Sequence, residues 1–157
     1  MKKISVAAVI ALVITAVMFC LDSCADKGEK LVLCYSKTDE VIKTFDVSEG
    51  DEFSVEFIHS VNKSPVKDVF VIRDGKIYAD RTIYSSFGAG VQTEVGEGQT
   101  LGYDEHGNMI VSGFDMEFPR VECIVGTVHD HVLEIGGESI SLTELCGKNA
   151  FVYFELR

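Results

Sequence analysis

The chain has 157 residues, with 14 basic and 25 acidic side chains and a formal net charge of −11. That charge excludes binding to nucleic acid through phosphate neutralisation and electrostatic docking on anionic lipids. The length beyond the N-terminal segment fits one domain with a single core and excludes a second domain.

The N-terminal segment, residues 1–23, is predicted to be a signal peptide or a membrane anchor. A short basic start precedes an apolar run over 4–21, which is long enough to cross a bilayer if it is not cut. Cys24 closes the sequence LDSC, which resembles a bacterial lipobox and makes Cys24 the candidate lipidation site. A lipoprotein, an uncleaved anchor and a cleaved secreted protein stay open as outcomes. Each of them places the polar tether 24–30 and the rest of the chain outside the cytoplasm.

Residues 31–157 are predicted to form a single all-β domain. Short β-branched and aromatic runs alternate with Gly, Asp and Asn, without a helical period. The pair Asp74-Gly75, the loop 104–108 and the pair Gly136-Gly137 predict hairpins. Sequential hairpins favour an antiparallel β-sandwich or barrel-like domain, with one helical turn near 143–146. The predicted strands cover residues 31–36, 41–47, 52–61, 66–72, 76–84, 100–103, 109–111, 121–126, 131–135, 139–142 and 150–156.

His59 is predicted to point toward the interior. On a strand over 52–61, alternation places it on the same face as Phe53, Val55 and Phe57. A buried imidazole needs hydrogen-bond partners, because an unpaired polar group is costly to bury. Three interpretations stay open: a core histidine that ties the strand to the following turn, a pocket residue that contacts a ligand or partner, and a catalytic base.

The serines near His59 do not complete a catalytic set. Ser60 follows His59 in an extended strand and therefore points to the opposite face, so the two cannot form a serine–histidine dyad. Ser85 and Ser86 precede a turn that can approach His59, but the chain has no G-x-S-x-G nucleophile elbow. We therefore predict that the protein is not an enzyme.

The segment 86–90, SFGAG, looks superficially like a phosphate loop. A Walker loop needs GK[ST] before a helix, and a Rossmann loop needs a third glycine where Thr93 stands, so neither motif is present. The glycines favour a sharp change of chain direction after a strand. Their exposed amides are also a candidate for a small anion-binding nest.

His129 and His131 lie two residues apart on one strand face, a spacing that metal sites use. The same face continues into Leu133 and Ile135, so His131 is equally a candidate for the core. The sequence identifies no third ligand. Metal binding stays open as an alternative, and no cofactor is predicted.

Three cysteines follow Cys24 in the chain. A disulfide with one buried thiol and a set of three buried thiols both stay open. The sequence has no CxxC motif or zinc spacing, so we predict no structural zinc. The three residues are Cys34, Cys123 and Cys146.

The block over 57–90 resembles the family catalogued as domain of unknown function 1850. Members of that family commonly follow GAG with an apolar residue and a proline, whereas this chain has Val91-Gln92. The matching parts are the HSV start at His59, Lys63, Pro65-Val66, the strand pair around Asp74-Gly75, the SFGAG close and, further on, HVLEI at 131–135.

The resemblance implies a small extracytoplasmic protein, of a kind often encoded beside TRAP transporters of the TAXI type. From it we expect a membrane-anchored, non-enzymatic accessory protein of solute uptake, with TRAP components as partners. The alternative is a small-molecule or metal-ion binding module that uses His59, the pair His129 and His131, or both. The expected recognition residues are His59, Ser60, Lys63, Pro65, Ser86, Phe87, Gly88 and Gly90.

Overall fold

The structure, a computed structural model, describes residues 28–85 and 95–157. The expectations for the segment 1–23, the lipidation of Cys24 and the turn at 86–90 lie outside these ranges. None of the helices within them is long and apolar enough to cross a membrane. The elements are β1 (Glu29–Tyr35), β2 (Val41–Val47), β3 (Glu52–Ile58), β4 (Pro65–Arg73), β5 (Lys76–Tyr84), β6 (Thr100–Tyr103), β7 (Met109–Phe118), β8 (Val121–Ile124), β9 (His131–Ile135), β10 (Glu138–Ser141), α1 (Leu142–Cys146) and β11 (Phe151–Leu156).

The strands form two antiparallel sheets. The small sheet has four strands in the order β2-β1-β11-β8, and the large sheet has seven in the order β10-β9-β3-β4-β5-β7-β6. The prediction of an antiparallel all-β fold is confirmed, and the two sheets form a sandwich. The hairpin between β4 and β5 turns at Asp74-Gly75, where both residues have positive φ of 51° and 68°.

The core lies between the inner faces of the two sheets. Phe53 of the large sheet stacks on its neighbour Phe70, with ring centroids 5.1 Å apart. Its ring also meets Phe154 of the small sheet, with centroids 5.4 Å apart. Leu31 and Leu133 extend the same cluster and are fully buried. Burial of this apolar surface is the main force that holds the two sheets together.

The two ends of the domain meet in the small sheet. The amide of Lys30 donates to the carbonyl of Arg157 at 3.0 Å, and the amide of Arg157 donates back to Lys30 at 2.9 Å. The start of β1 also lies beside the β4–β5 turn, because a Cβ placed on Gly75 would come within 3.0 Å of the Glu29 carboxylate. The N-terminal side of the domain is therefore fixed at that turn.

The prediction that the third strand continues to residue 61 is wrong, since β3 ends at Ile58. Ile58 pairs with Pro65 as the last residues of the β3–β4 ladder, and proline has no amide hydrogen to extend it. The chain instead closes a turn, in which the amide of His59 donates to the Ser64 carbonyl at 2.9 Å. Lys63 occupies the left-handed region of this turn, with φ of 55°.

The predicted strand at 109–111 is much longer in the structure, where β7 runs from Met109 to Phe118. Gly113 and Asp115 have positive φ of 81° and 45°, so the chain departs from regular alternation there. Ala79 of β5 pairs with Met116 while Arg81 pairs with Ser112, which defines a bulge. Such a bulge interrupts the period-two pattern on which strand prediction depends, and it bends the strand.

The other boundaries shift by a few residues around Gly126 and α1. β8 ends at Ile124 rather than 126, since the chain folds back so tightly that a Cβ on Gly126 would overlap the His129 carbonyl oxygen. The predicted helical turn is present and begins one residue earlier, at Leu142. Ser141 caps it, because its hydroxyl accepts a hydrogen bond from the Glu144 amide at 3.0 Å.

Candidate functional site

Five of the residues singled out from the sequence line one cavity. It has a volume of about 480 Å³ and lies between the turn after β3 and the loop that joins β8 to β9. We call it the histidine cavity. These five are His59, Ser60, Lys63, His129 and His131, and the polar Thr127 also lines the cavity.

Strand pairing brings these distant residues together. Phe57 near the end of β3 pairs directly with His131 at the start of β9. The two rings stack with centroids 5.4 Å apart and an interplanar angle of 12°. His59 follows two residues after Phe57, and His129 lies two residues before His131. The ladder between β3 and β9 therefore positions His131, while His59 lies in the turn after β3 and His129 lies in the loop before β9 rather than on the strand as predicted.

The ring of His131 is held by one backbone hydrogen bond. Its Nδ1 accepts from the Gly126 amide at 3.0 Å, so in the neutral imidazole the proton is on Nε2. Burial lowers the pKa of His131, although the neighbouring Asp130 carboxylate acts in the opposite direction. The neutral form with an Nε2 hydrogen is therefore the form that faces the cavity at neutral pH.

His59 has the same arrangement, although its partners lie in the turn that it opens. Its Nδ1 accepts from the amides of Val61 at 3.3 Å and Asn62 at 3.4 Å. The only lone pair of the neutral ring is used in these bonds, so Nε2 again carries the proton. The half-buried ring thus ties the end of β3 to the following turn, while it also lines the cavity.

This bonding leaves His59 and His131 with a hydrogen-bond donor at Nε2 and no free acceptor. A metal ion needs an unprotonated nitrogen, and neither His59 nor His131 offers one while Nδ1 accepts an amide hydrogen. Within residues 28–85 and 95–157, no three His, Cys, Asp or Glu side chains converge where they could hold a metal ion. The donors around the cavity include the Nε2 hydrogens of His59 and His131, the hydroxyls of Ser60 and Thr127, and the Lys63 ammonium group.

The turn beside the cavity is built at some cost to stability. The side-chain atoms Asn62 Nδ2 and Ser64 Oγ are buried, and neither has a hydrogen-bond partner among the described residues. A buried polar atom without a partner costs roughly 1 to 3 kcal/mol. Lys63 adds the strain of a left-handed backbone in a residue other than glycine. Such local costs are typical of turns that are shaped for binding.

The remaining predicted residues lie apart from this chemistry. Pro65 begins β4, and its carbonyl accepts a hydrogen bond from the Ser85 hydroxyl at 3.3 Å. Ser85 is therefore bonded to the backbone of β4 rather than to His59. The residues predicted for the turn after β5, namely Ser86, Phe87, Gly88 and Gly90, lie outside the described residues.

The three cysteines of the domain are free thiols. Burial raises the pKa of Cys123 to about 12, and the nearby Cys146 contributes to this rise. Burial alone raises the pKa of Cys146 to about 11. Both groups therefore remain protonated at neutral pH, and protonated thiols are poor nucleophiles.

A second cavity, which the sequence reasoning missed, lies on the other side of the stacked Phe57 and His131 rings. Its volume is about 660 Å³, and four phenylalanines are among the residues that line it. We call it the aromatic groove. Its one aspartate is Asp68, whose Oδ1 accepts a hydrogen bond from the Thr82 hydroxyl at 2.7 Å. Burial raises the pKa of Asp68, and the bond from Thr82 opposes the rise.

A sequence signal for Asp68 exists in β4. Alternation places Val66, Asp68, Phe70 and Ile72 on one face, and the other three are buried. A single aspartate on an otherwise apolar face marks either a paired buried charge or a binding site.

The match with known proteins covers both cavities. A family model described as domain of unknown function (DUF1850) matches residues 53–142. The chain belongs to this family. The DUF1850 match includes His59, Asp68 and His131, and almost all of the large sheet. It leaves out β1, β2 and β11 of the small sheet. No curated protein and no solved structure shows significant similarity to this DUF1850 chain.

We expect His131 of this DUF1850 protein to titrate below the ordinary value of a histidine. Burial penalises its cation, and protonation of Nδ1 would break the bond from the Gly126 amide. Nitrogen-15 NMR of the labelled imidazoles during a pH titration measures both the midpoint and the tautomer. A proton on Nδ1 at neutral pH, or a midpoint above about 6.5, would contradict the geometry.

We expect the substitution Asp68→Asn to stabilise the fold more at neutral than at acid pH. A carboxyl with a raised folded pKa favours folding when protonated, and this contribution is lost as pH rises through the folded pKa. Asparagine removes that loss and keeps a partner for Thr82. Urea unfolding at about pH 3 and about pH 7.5 measures the difference.

The control for this measurement is Asp74→Asn, which removes the same charge at the exposed β4–β5 turn. It reports how much of the change comes from net charge alone. An equal increase in the free energy of unfolding in the two variants would count against a desolvated carboxyl at Asp68. A larger increase for Asp68→Asn at the acid pH than at the neutral pH would also count against it.

Proposed function

We propose that this domain is a non-enzymatic extracytoplasmic binding module, which holds a small carboxylate-bearing solute in the histidine cavity. The observation that carries the proposal is the gathering of His59, Ser60, Lys63, His129 and His131 around one cavity. These residues come from the turn after β3 and from the β8–β9 loop with the first residue of β9, which are far apart in the sequence.

The donor set supports a carboxylate as the recognised group. The Nε2 hydrogens of His59 and His131 and the Lys63 ammonium group all donate, and a carboxylate accepts several bonds at once. Bonds to a charged acceptor are shorter and stronger than bonds between neutral groups. Phe57 and Val128 on the same walls supply apolar contacts for the hydrocarbon part of such a solute.

The net charge of −11 restricts this ligand to a small molecule. A large polyanion would meet the acidic exterior as well as Lys63, and repulsion would dominate. A small carboxylate interacts mainly with the donors next to it, since exposed charges beyond about 10 Å are screened at physiological salt.

We also propose that the domain serves as a membrane-anchored accessory of a TRAP-type uptake system. Membership of the DUF1850 family supports this role, because the resemblance implies proteins associated with TAXI-type transporters. The basic and apolar N-terminal sequence supports attachment to the membrane, through lipid on Cys24 or through an uncleaved helix. In this role the histidine cavity would contact the solute that the transporter carries.

We expect the full chain in non-ionic detergent to bind succinate, and Lys63→Asn to weaken this binding by about tenfold or more. Asparagine tolerates the left-handed backbone of residue 63 while it removes the charge. Isothermal titration calorimetry measures the affinity, and Lys37→Asn serves as the control at a distant turn. Absence of saturable binding, or an equal loss in both variants, would exclude a carboxylate site in this cavity.

We expect the chain to co-purify with the membrane component of a TRAP transporter after crosslinking in its host cells. The control is an unrelated membrane-anchored protein expressed at the same level. If mass spectrometry detects no TRAP component above that control, the accessory role is wrong, whereas the succinate result stands independently.

A further inference from the structure

Side chains from several strands of the large sheet line the aromatic groove. Its lining includes Phe57, Phe70 and three residues of β7, namely Phe114, Met116 and Phe118, and Phe70 meets Phe118 edge to face with ring centroids 6.0 Å apart. Phe114 lies within the β7 bulge, between Gly113 and Asp115 with their positive φ. Bulges of this kind redirect side chains next to functional sites.

The carboxylate in this groove has no cationic partner among the described residues. Thr82 supplies the hydrogen bond that Asp68 receives. Two arginines also line the groove, but both are committed elsewhere. Arg81 pairs with Glu52 at 2.7 Å and also with Asp80, and Arg120 pairs with Glu155 at 2.8 Å.

The pairing of other charges in the large sheet shows how unusual Asp68 is. On the outer face, Lys67 pairs with Glu134, and Arg81 meets Glu52 through two hydrogen bonds. Asp68 stands on the same strand as Lys67 but on the other face, where Thr82 is its hydrogen-bond partner and no cation pairs with it among the described residues. A carboxyl in this setting gains from any cation that enters the groove.

The walls define which cation fits. Aromatic faces attract a cation through their electron-rich centres, and they bury the apolar part of a ligand. An ammonium group can donate hydrogen bonds to the lone pairs of Asp68 that Thr82 leaves free, whereas an anion is repelled by that carboxylate. A volume of about 660 Å³ accommodates a ligand of the size of a single aromatic ring with a short chain.

We propose that the aromatic groove binds a small aromatic amine in its ammonium form, with the ammonium group on Asp68 and the ring against the phenylalanine side chains that line the groove. This site is separate from the histidine cavity and does not rest on the carboxylate proposed there.

The test uses 2-phenylethylammonium chloride as the probe on the full chain in non-ionic detergent. We expect saturable binding by calorimetry, and a loss of affinity of at least tenfold in Asp68→Asn. The control Asp74→Asn removes one negative charge outside the groove and is expected to bind like the wild type. Phe114→Ala removes part of the wall without touching the carboxyl, and we expect it to weaken binding about threefold.

Two further ligands separate charge recognition from simple partition into an apolar groove. 3-Phenylpropionate has the opposite charge and 2-phenylethanol has none, and we expect both to bind at least tenfold more weakly than the ammonium probe. Equal binding of the three compounds, unchanged affinity in Asp68→Asn, or absence of saturable binding would overturn the proposal.

The same titrations distinguish this proposal from the carboxylate site. Lys63→Asn is expected to leave binding of the amine unchanged, and Asp68→Asn is expected to leave binding of succinate unchanged. If succinate fails to bind while the amine binds, only the histidine cavity has been misassigned. The converse result overturns the amine site alone.

Discussion

The contact between Phe53 and Phe154 is the constraint from which the rest of the molecule follows. It joins the inner faces of two sheets that differ in width, since four strands lie over seven. A narrow sheet cannot cover a wide one completely, so part of the inner face of the large sheet lies beyond the edge strand β8. The aromatic groove borders Val121 and Cys123 of that strand. The mismatch in width thus produces both a dry core and an open cavity.

The stacked rings of Phe57 and His131 divide this open region into two cavities of opposite character. On one side lie a lysine and imidazole hydrogens, and on the other lie an aspartate and aromatic faces. The partition depends on Gly126, because its amide fixes the tautomer of His131 and because no side chain fits at that position. A single glycine therefore governs a histidine that faces both cavities, which is a role for which the sequence gives no local sign.

Sequence patterns predict the strands well where alternation is regular and poorly where the backbone leaves it. The sequence predicts the hairpin at Asp74-Gly75 and the family membership, because both depend on residues that are close together in the chain. The sequence does not predict the full length of β7, since Gly113 and Asp115 have positive φ and interrupt its alternation. The meeting of Phe57 with His131 depends on a ladder between strands that are distant in sequence. Alternation along β4 singles out Asp68, because the other residues on its face are apolar.

Glu29 lies beside Gly75, so β1 begins next to the β4–β5 turn. The β4–β5 turn stands at one end of β4, and the turn that contains Lys63 stands at the other. Nine residues of strand separate these ends, which corresponds to about 30 Å. A domain held at a surface through its N-terminus would carry the histidine cavity on its far side, about the thickness of a bilayer core away. Solutes and partner proteins would reach the cavity without passing between the domain and that surface.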